Sequence, residues 1–198
     1  MCSYINEIDT KTKFIILMHP KEFKKIKNGS GHLTHLSLNN SKLFIGIDFT
    51  NHKEINEIID TYNSFVLYPS EDAINISNEL PRLEDSDKDM AIFLIDSTWA
   101  CSKKMLKESK NLNRLNYISF DNTKLSQFKI KEQPAEYCLS TIESTLRVLE
   151  LLNRWDVENI SQKGFDNFLN PFEKMIEYQL SYVENQDNNS VRFKKRES

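Results

Sequence analysis

MAIFLIDSTWACSKKM, residues Met90–Met105, decides the fold. Its first part, Met90–Ile95, is a continuous apolar run, the pattern of a strand buried on both faces of a parallel sheet. Asp96, Ser97 and Thr98 come next, and each can accept hydrogen bonds from the first turn of the helix expected over Trp99–Ser109. The junction has two readings. In one, the acid and the hydroxyls are helix caps. In the other they are a ligand site, because open α/β sheets bind ligands at the carboxyl ends of their strands, where helix N-termini also point. A cap does not need Trp99.

Similar runs lie on either side. Lys13–Met18 (KFIILM), Lys42–Ile47 (KLFIGI), Ser64–Tyr68 (SFVLY) and Asn116–Phe120 (NYISF) read as further strands. His52–Tyr62 has its isoleucines at helical spacing, and Tyr137–Trp155 does the same with Leu139, Ile142, Leu146, Leu149 and Leu152. A second long helix is expected over Gly164–Asn185, interrupted near Asn170-Pro171. Asn28–Gly31 (NGSG) reads as a small-residue turn and Asp121–Pro134 as irregular and basic. Strands alternating with helices predict a single α/β domain, a mostly parallel sheet flanked by helices, over residues 1–186. Residues 187–198 read as a basic, disordered tail.

The bulk numbers bound the function. With 198 residues the chain can bury a substantial core, and 39% hydrophobic with 28% charged residues is ordinary for a globular protein. The longest apolar runs are about six residues, far short of the roughly twenty of a membrane helix. No basic stretch followed by an apolar one opens the sequence, and Cys2, Cys101 and Cys138 lack CxxC spacing. The expectation is a cytoplasmic protein without a disulfide framework.

The net charge of −3 conceals a gradient. Residues 1–100 hold ten basic against fifteen acidic side chains, whereas residues 101–133 hold eight basic against three acidic. Lys103, Lys104 and Lys107 follow the opening motif directly; Lys21, Lys24, Lys25 and Lys27 form a second cluster and the tail RFKKR (Arg192–Arg196) a third. Each is either a solvated face or a phosphate-binding surface, since nucleic acids respond to local basic charge rather than to the mean. Walker, GxGxxG, HExxH and GxSxG signatures are absent. His32 and His35 could stand one helical turn apart but lack a third ligand, so no metal is predicted.

Taken in order, the motifs resemble those of the DTW-domain family, named for Asp-x-Thr-Trp, here Asp96-Ser97-Thr98-Trp99. His19-Pro20-Lys21-Glu22 matches the family's segment after the first strand, and Ser30-Gly31 its small-residue turn. Tyr68-Pro69-Ser70, Lys104-Met105 and Ser140-Thr141-Ile142-Glu143 match later segments, so the ordered resemblance covers about residues 13–150. Two features depart from the pattern. Only Cys2 precedes the first strand where many members carry a cysteine-rich segment, and His32 stands where relatives often have arginine.

The resemblance implies a tRNA-uridine aminocarboxypropyltransferase of SPOUT-like fold with a C-terminal trefoil knot, using S-adenosylmethionine as group donor and tRNA as partner. Uridine N3 is protonated at neutral pH and needs a base, whereas the methylene beside a sulfonium needs mainly positioning. Asp96 is the first candidate for that base and Glu143 the alternative. Tyr68, Pro69, Ser70, Thr98, Trp99, Ser140 and Thr141 are the candidate donor contacts. Trp99 either stacks on a base or locks its helix to the sheet. Lys21, Lys24, Lys25, Lys103, Lys104 and Lys107 are the candidate RNA contacts. Other readings are a related transferase acting on rRNA or moving methyl, and a non-catalytic RNA-binding protein.

Overall fold

In the computed structural model the apolar runs become the inner strands of one sheet. The structure describes residues 2–25, 29–122, 126 and 138–184. The strands are β1 (Lys13–Met18), β2 (Ser41–Ile45), β3 (Asn63–Leu67), β4 (Ile74–Asn75), β5 (Met90–Asp96) and β6 (Asn116–Ser119). They form a six-stranded sheet of order β2-β1-β5-β3-β6-β4. Every pairing is parallel, and β5 sits between β1 and β3 with Met18 opposite Asp96 and Leu67 opposite Leu94. All strand carboxyl ends therefore reach the same edge.

The two-residue period of a strand divides the core between the faces. Phe14, Ile16, Ile92 and Leu94 pack on one face, against Leu33, Leu149, Phe172 and Met175. Those partners come from α2 (Ser30–Leu36), α5 (Thr141–Arg154) and α7 (Asn170–Glu184), with Phe168 of α6 (Gln162–Phe168) in the same layer. Ile15, Leu17, Ala91 and Phe93 pack on the other face, against Ile55 and Ile58 of α3 (Lys53–Thr61) and Met105 and Leu106 of α4 (Trp99–Glu108). Burying a side chain such as Phe93 completely stabilises the fold by about 1.5–3 kcal/mol. This is the single α/β domain expected from the sequence.

Three differences have physical reasons. The basic stretch after β1 is a short helix, α1 (Pro20–Lys25), with Pro20 at its first position, where a missing N–H costs nothing. The small-residue turn opens α2, with Gly29 as its N-cap; Asn28 lies outside the described residues. Both helices are too short to show a 3.6-residue stripe. The last long helix is two, α6 and α7, meeting at Leu169 beside the expected interruption at Asn170-Pro171. The tail, with Arg192–Arg196, and the basic residues Lys124, Lys129 and Lys131 also lie outside the described residues.

Candidate functional site

Near the carboxyl ends of β1, β3, β5 and β6, the side chains of Met18, Leu67, Leu94 and Ile118 line a cavity of about 730 Å³ with apolar surface. Asp96 lines it and is only 8% exposed. Among the described residues, two helices meet the carboxylate. The Thr141 hydroxyl, at the start of α5, donates to Oδ1 at 2.5 Å. Gly31, in the first turn of α2, packs so closely that a Cβ there would collide with the carboxylate. The Asp96 carbonyl also accepts from the His19 N–H at 3.1 Å, tying the ends of β5 and β1 together. Segments far apart in sequence, at Gly31 and Thr141, thus converge on the carboxylate of Asp96.

The walls carry most of the residues expected at the site. Tyr68, Pro69, Thr98, Trp99, Ser140 and Thr141 all line the cavity. Thr98 is also the N-cap of α4, its Oγ1 accepting from the Cys101 N–H at 3.4 Å, so the cap and the cavity wall are the same residue. Trp99 is 40% exposed, which rules out a purely interior role for its ring. Its centroid is 5.7 Å from that of Tyr68, and Tyr68 in turn meets Tyr117 edge-on at 6.4 Å. Burial, and then the neighbouring Tyr68, raise the Tyr117 hydroxyl above its ordinary value. The N-termini of α4 and α5 both open at the cavity and supply partial positive charge there.

Two expected residues stand elsewhere. Glu143 is buried, but its Oε2 accepts from the Ser140 N–H (2.8 Å), the Ser140 hydroxyl (2.6 Å) and the Ser126 hydroxyl (2.8 Å), and it does not line the cavity. It closes the first turn of α5. Ser70 is exposed and off the cavity wall.

Several lining residues were not singled out from sequence: Glu22 of α1, Ser30, Asn122, Cys138, and Met175 and Gln179 of α7. Met175 and Gln179 follow Phe172 at helical spacing, so one face of α7 packs on the core and continues as cavity wall. Only the family segment His-Pro-x-Glu carried a signal for Glu22. Among the described lining residues there is no lysine, arginine or histidine, whereas Asp96 and Glu22 are acids.

Lys21, Lys24, Lys103, Lys104 and Lys107 do not line the cavity. They are exposed on α1 and α4. Lys25 closes α1, but its side chain is outside those described. Lys21 and Lys104 both act on His19, whose pKa burial and then Lys21 hold below the usual histidine value. The two helices therefore bring basic charge to the same flank of the domain. On α2, His35 Nδ1 hydrogen-bonds with the Ser41 hydroxyl at 2.7 Å, and the His32 ring stacks on Phe23. Among the described residues no three His, Cys, Asp or Glu side chains group to hold a metal, and no helix is long and apolar enough to cross a membrane.

Comparison with known proteins gives the family. The model of the DTW domain matches residues 1–180. A Drosophila melanogaster protein named tRNA-uridine aminocarboxypropyltransferase 2 is 30% identical over 146 residues, 71% of this chain and 56% of its own. Proteins of the same name from Macaca fascicularis and Mus musculus are 24% and 23% identical, each over 92% of this chain and 60% of their own. The chain thus spans 56–60% of the length of these curated relatives. No solved structure matches it significantly. A family match running from residue 1 to 180, with the signature Asp96-Ser97-Thr98-Trp99 in the wall of the cavity, has one consequence: the chain belongs to the DTW-domain family.

Proposed function

We propose that the chain modifies tRNA, transferring the 3-amino-3-carboxypropyl group of S-adenosylmethionine to N3 of a uridine. One observation carries the reading. A family carboxylate, Asp96, is fixed by two other family segments inside a cavity with an exposed tryptophan and two helix N-termini. The names of the relatives support the reaction type.

The donor supplies a methylene already activated by its sulfonium. Transfer forms the N3–carbon bond and breaks the carbon–sulfur bond, whose electron pair goes to sulfur, and methylthioadenosine leaves uncharged. The N3 proton passes to a carboxylate, and Asp96 has the position for it. Glu143 is the weaker candidate because its Oε2 already accepts three hydrogen bonds. Thr98, Ser140 and Thr141, with the N-termini they open, suit the donor's carboxylate and ribose. Tyr68, Pro69 and Trp99 offer ring faces and apolar edge for adenine or the target base. Ser70 contributes least among the proposed contacts, since it lies off the wall. Lys21, Lys24, Lys25, Lys103, Lys104 and Lys107 would hold tRNA phosphates on the basic flank.

A SPOUT-like fold with a C-terminal knot belongs to the same proposal. The all-parallel sheet with its site at the carboxyl edge supports it. The odd number of cysteines and the absence of CxxC spacing support a cytoplasmic setting.

The test is to incubate the protein with tRNA and donor labelled separately in the methyl and aminocarboxypropyl carbons. Aminocarboxypropyl label in RNA is the expected result. Methyl label alone would make it a methyltransferase, and no label would leave an RNA-binding protein.

A further inference from the structure

We infer that Glu22 is a second donor-binding carboxylate, which recognises the ammonium group at the amino-acid end of the donor; the inference rests on the transferase reading above. Glu22 of α1 and Asp96 of β5 both line the cavity, and among the described lining residues there is no lysine, arginine or histidine. The donor carries two cationic centres, a sulfonium and an ammonium, and one carboxylate. The apolar surface of Met18, Leu67, Leu94 and Ile118 cannot take up such charges without compensation, because a buried unpaired charge is costly. A carboxylate for the ammonium, with helix N-termini left for the single anion, matches the charges at the amino-acid end of the donor.

The chemistry decides which cation faces Glu22. Sulfonium charge is lost as the carbon–sulfur bond breaks. A carboxylate held against it would stabilise the ground state more than the transition state and slow the reaction. The ammonium charge persists throughout and leaves on the transferred group, so a carboxylate there anchors without opposing the chemistry. Ring faces such as those of Trp99 and Tyr68 hold a cation more weakly and suit the sulfonium better. Glu22 also stands in the first turn of α1, where an acid favours the helix. That structural role predicts no dependence on the ligand.

Calorimetric titration of the full chain and its Glu22→Gln variant separates the two. The probes are S-adenosylmethionine, S-adenosylhomocysteine, which lacks the sulfonium charge but keeps the ammonium, and methylthioadenosine, which has neither. The variant should bind the first two about 10–100-fold more weakly, the usual worth of a charged hydrogen bond, and bind methylthioadenosine as the wild type does. Glu22→Asp, which keeps the charge, should recover part of the loss. Weakening confined to S-adenosylmethionine would put the sulfonium opposite Glu22 and overturn the inference. Equal weakening of all three, or none, would overturn it as well. Wild-type protein that binds none of the probes would instead sink the transferase reading on which the inference stands.

Discussion

The Thr141 hydroxyl donates to Oδ1 of Asp96 at 2.5 Å, joining residues 45 positions apart and fixing the carboxylate in the wall of the cavity. A base must be held in place to act, and small displacements of a reacting group are costly. Thr141→Val keeps the shape and removes the donor. It should lower turnover by about 10–100-fold, as loss of a hydrogen bond to a charged group does. Thr141→Ser should recover most of the activity. A valine variant with wild-type turnover would mean that Asp96 is positioned by other contacts.

Gly31 holds the opposite side of the same carboxylate. A methyl group there cannot fit while Asp96 keeps its place. Gly31→Ala should cost about 1–3 kcal/mol, as overpacking does. For a domain of this size that lowers the melting temperature by roughly 2–12 °C, which differential scanning calorimetry would read. Activity should fall further than the stability loss explains. An alanine variant with normal stability and turnover would show that the contact gives way freely.

Acid should weaken the fold through two histidines. Burial is the first cause holding both His19 and His35 below the ordinary histidine value, with Lys21 adding to it at His19 and His32 at His35. As pH falls through about 6.5 the unfolded chain takes up protons before the folded one, so stability is lost downward from there. Urea midpoints should decline from pH 7.5 to 5.5, and a His19→Asn/His35→Asn double variant should show a flatter profile. A wild-type midpoint that rises over this range would contradict the assignment.

The lysines on α4 test the RNA surface. Changing Lys103, Lys104 and Lys107 together to serine should weaken tRNA binding without altering donor binding. Each lost phosphate contact removes about 0.7–0.9 from the logarithmic salt slope, so the slope should flatten by about 2–3. An unchanged slope would move the search to Lys21, Lys24 and Lys25 on α1.

Much of this architecture was legible because its signals are local. Met90–Ile95 and Lys13–Met18 are buried on both faces, so their apolar runs are unbroken and read as inner strands. The helices α1 and α2 were missed because six or seven residues are too few for a periodic stripe, and Pro20, Gly29 and Gly31 read as breakers. At the site, Asp96, Thr98 and Trp99 are contiguous and were legible together. Whether Trp99 faced core or cavity was not, because an aromatic at a helix start serves either, and only the packing of Tyr68 beside it leaves the ring in the wall. Glu22, Met175 and Gln179 reach the cavity from elements far along the chain, a juxtaposition made by tertiary packing.

The most direct test of the account is Asp96→Asn, which keeps the size of the side chain and removes its basicity. Single-turnover transfer from labelled S-adenosylmethionine to tRNA, measured beside donor affinity, separates chemistry from binding. The account predicts donor affinity within a few-fold of wild type and loss of most aminocarboxypropyl transfer. An asparagine variant that transfers at the wild-type rate would contradict it, leaving Asp96 a structural anchor between α2 and α5 and Glu143 the remaining candidate for the base.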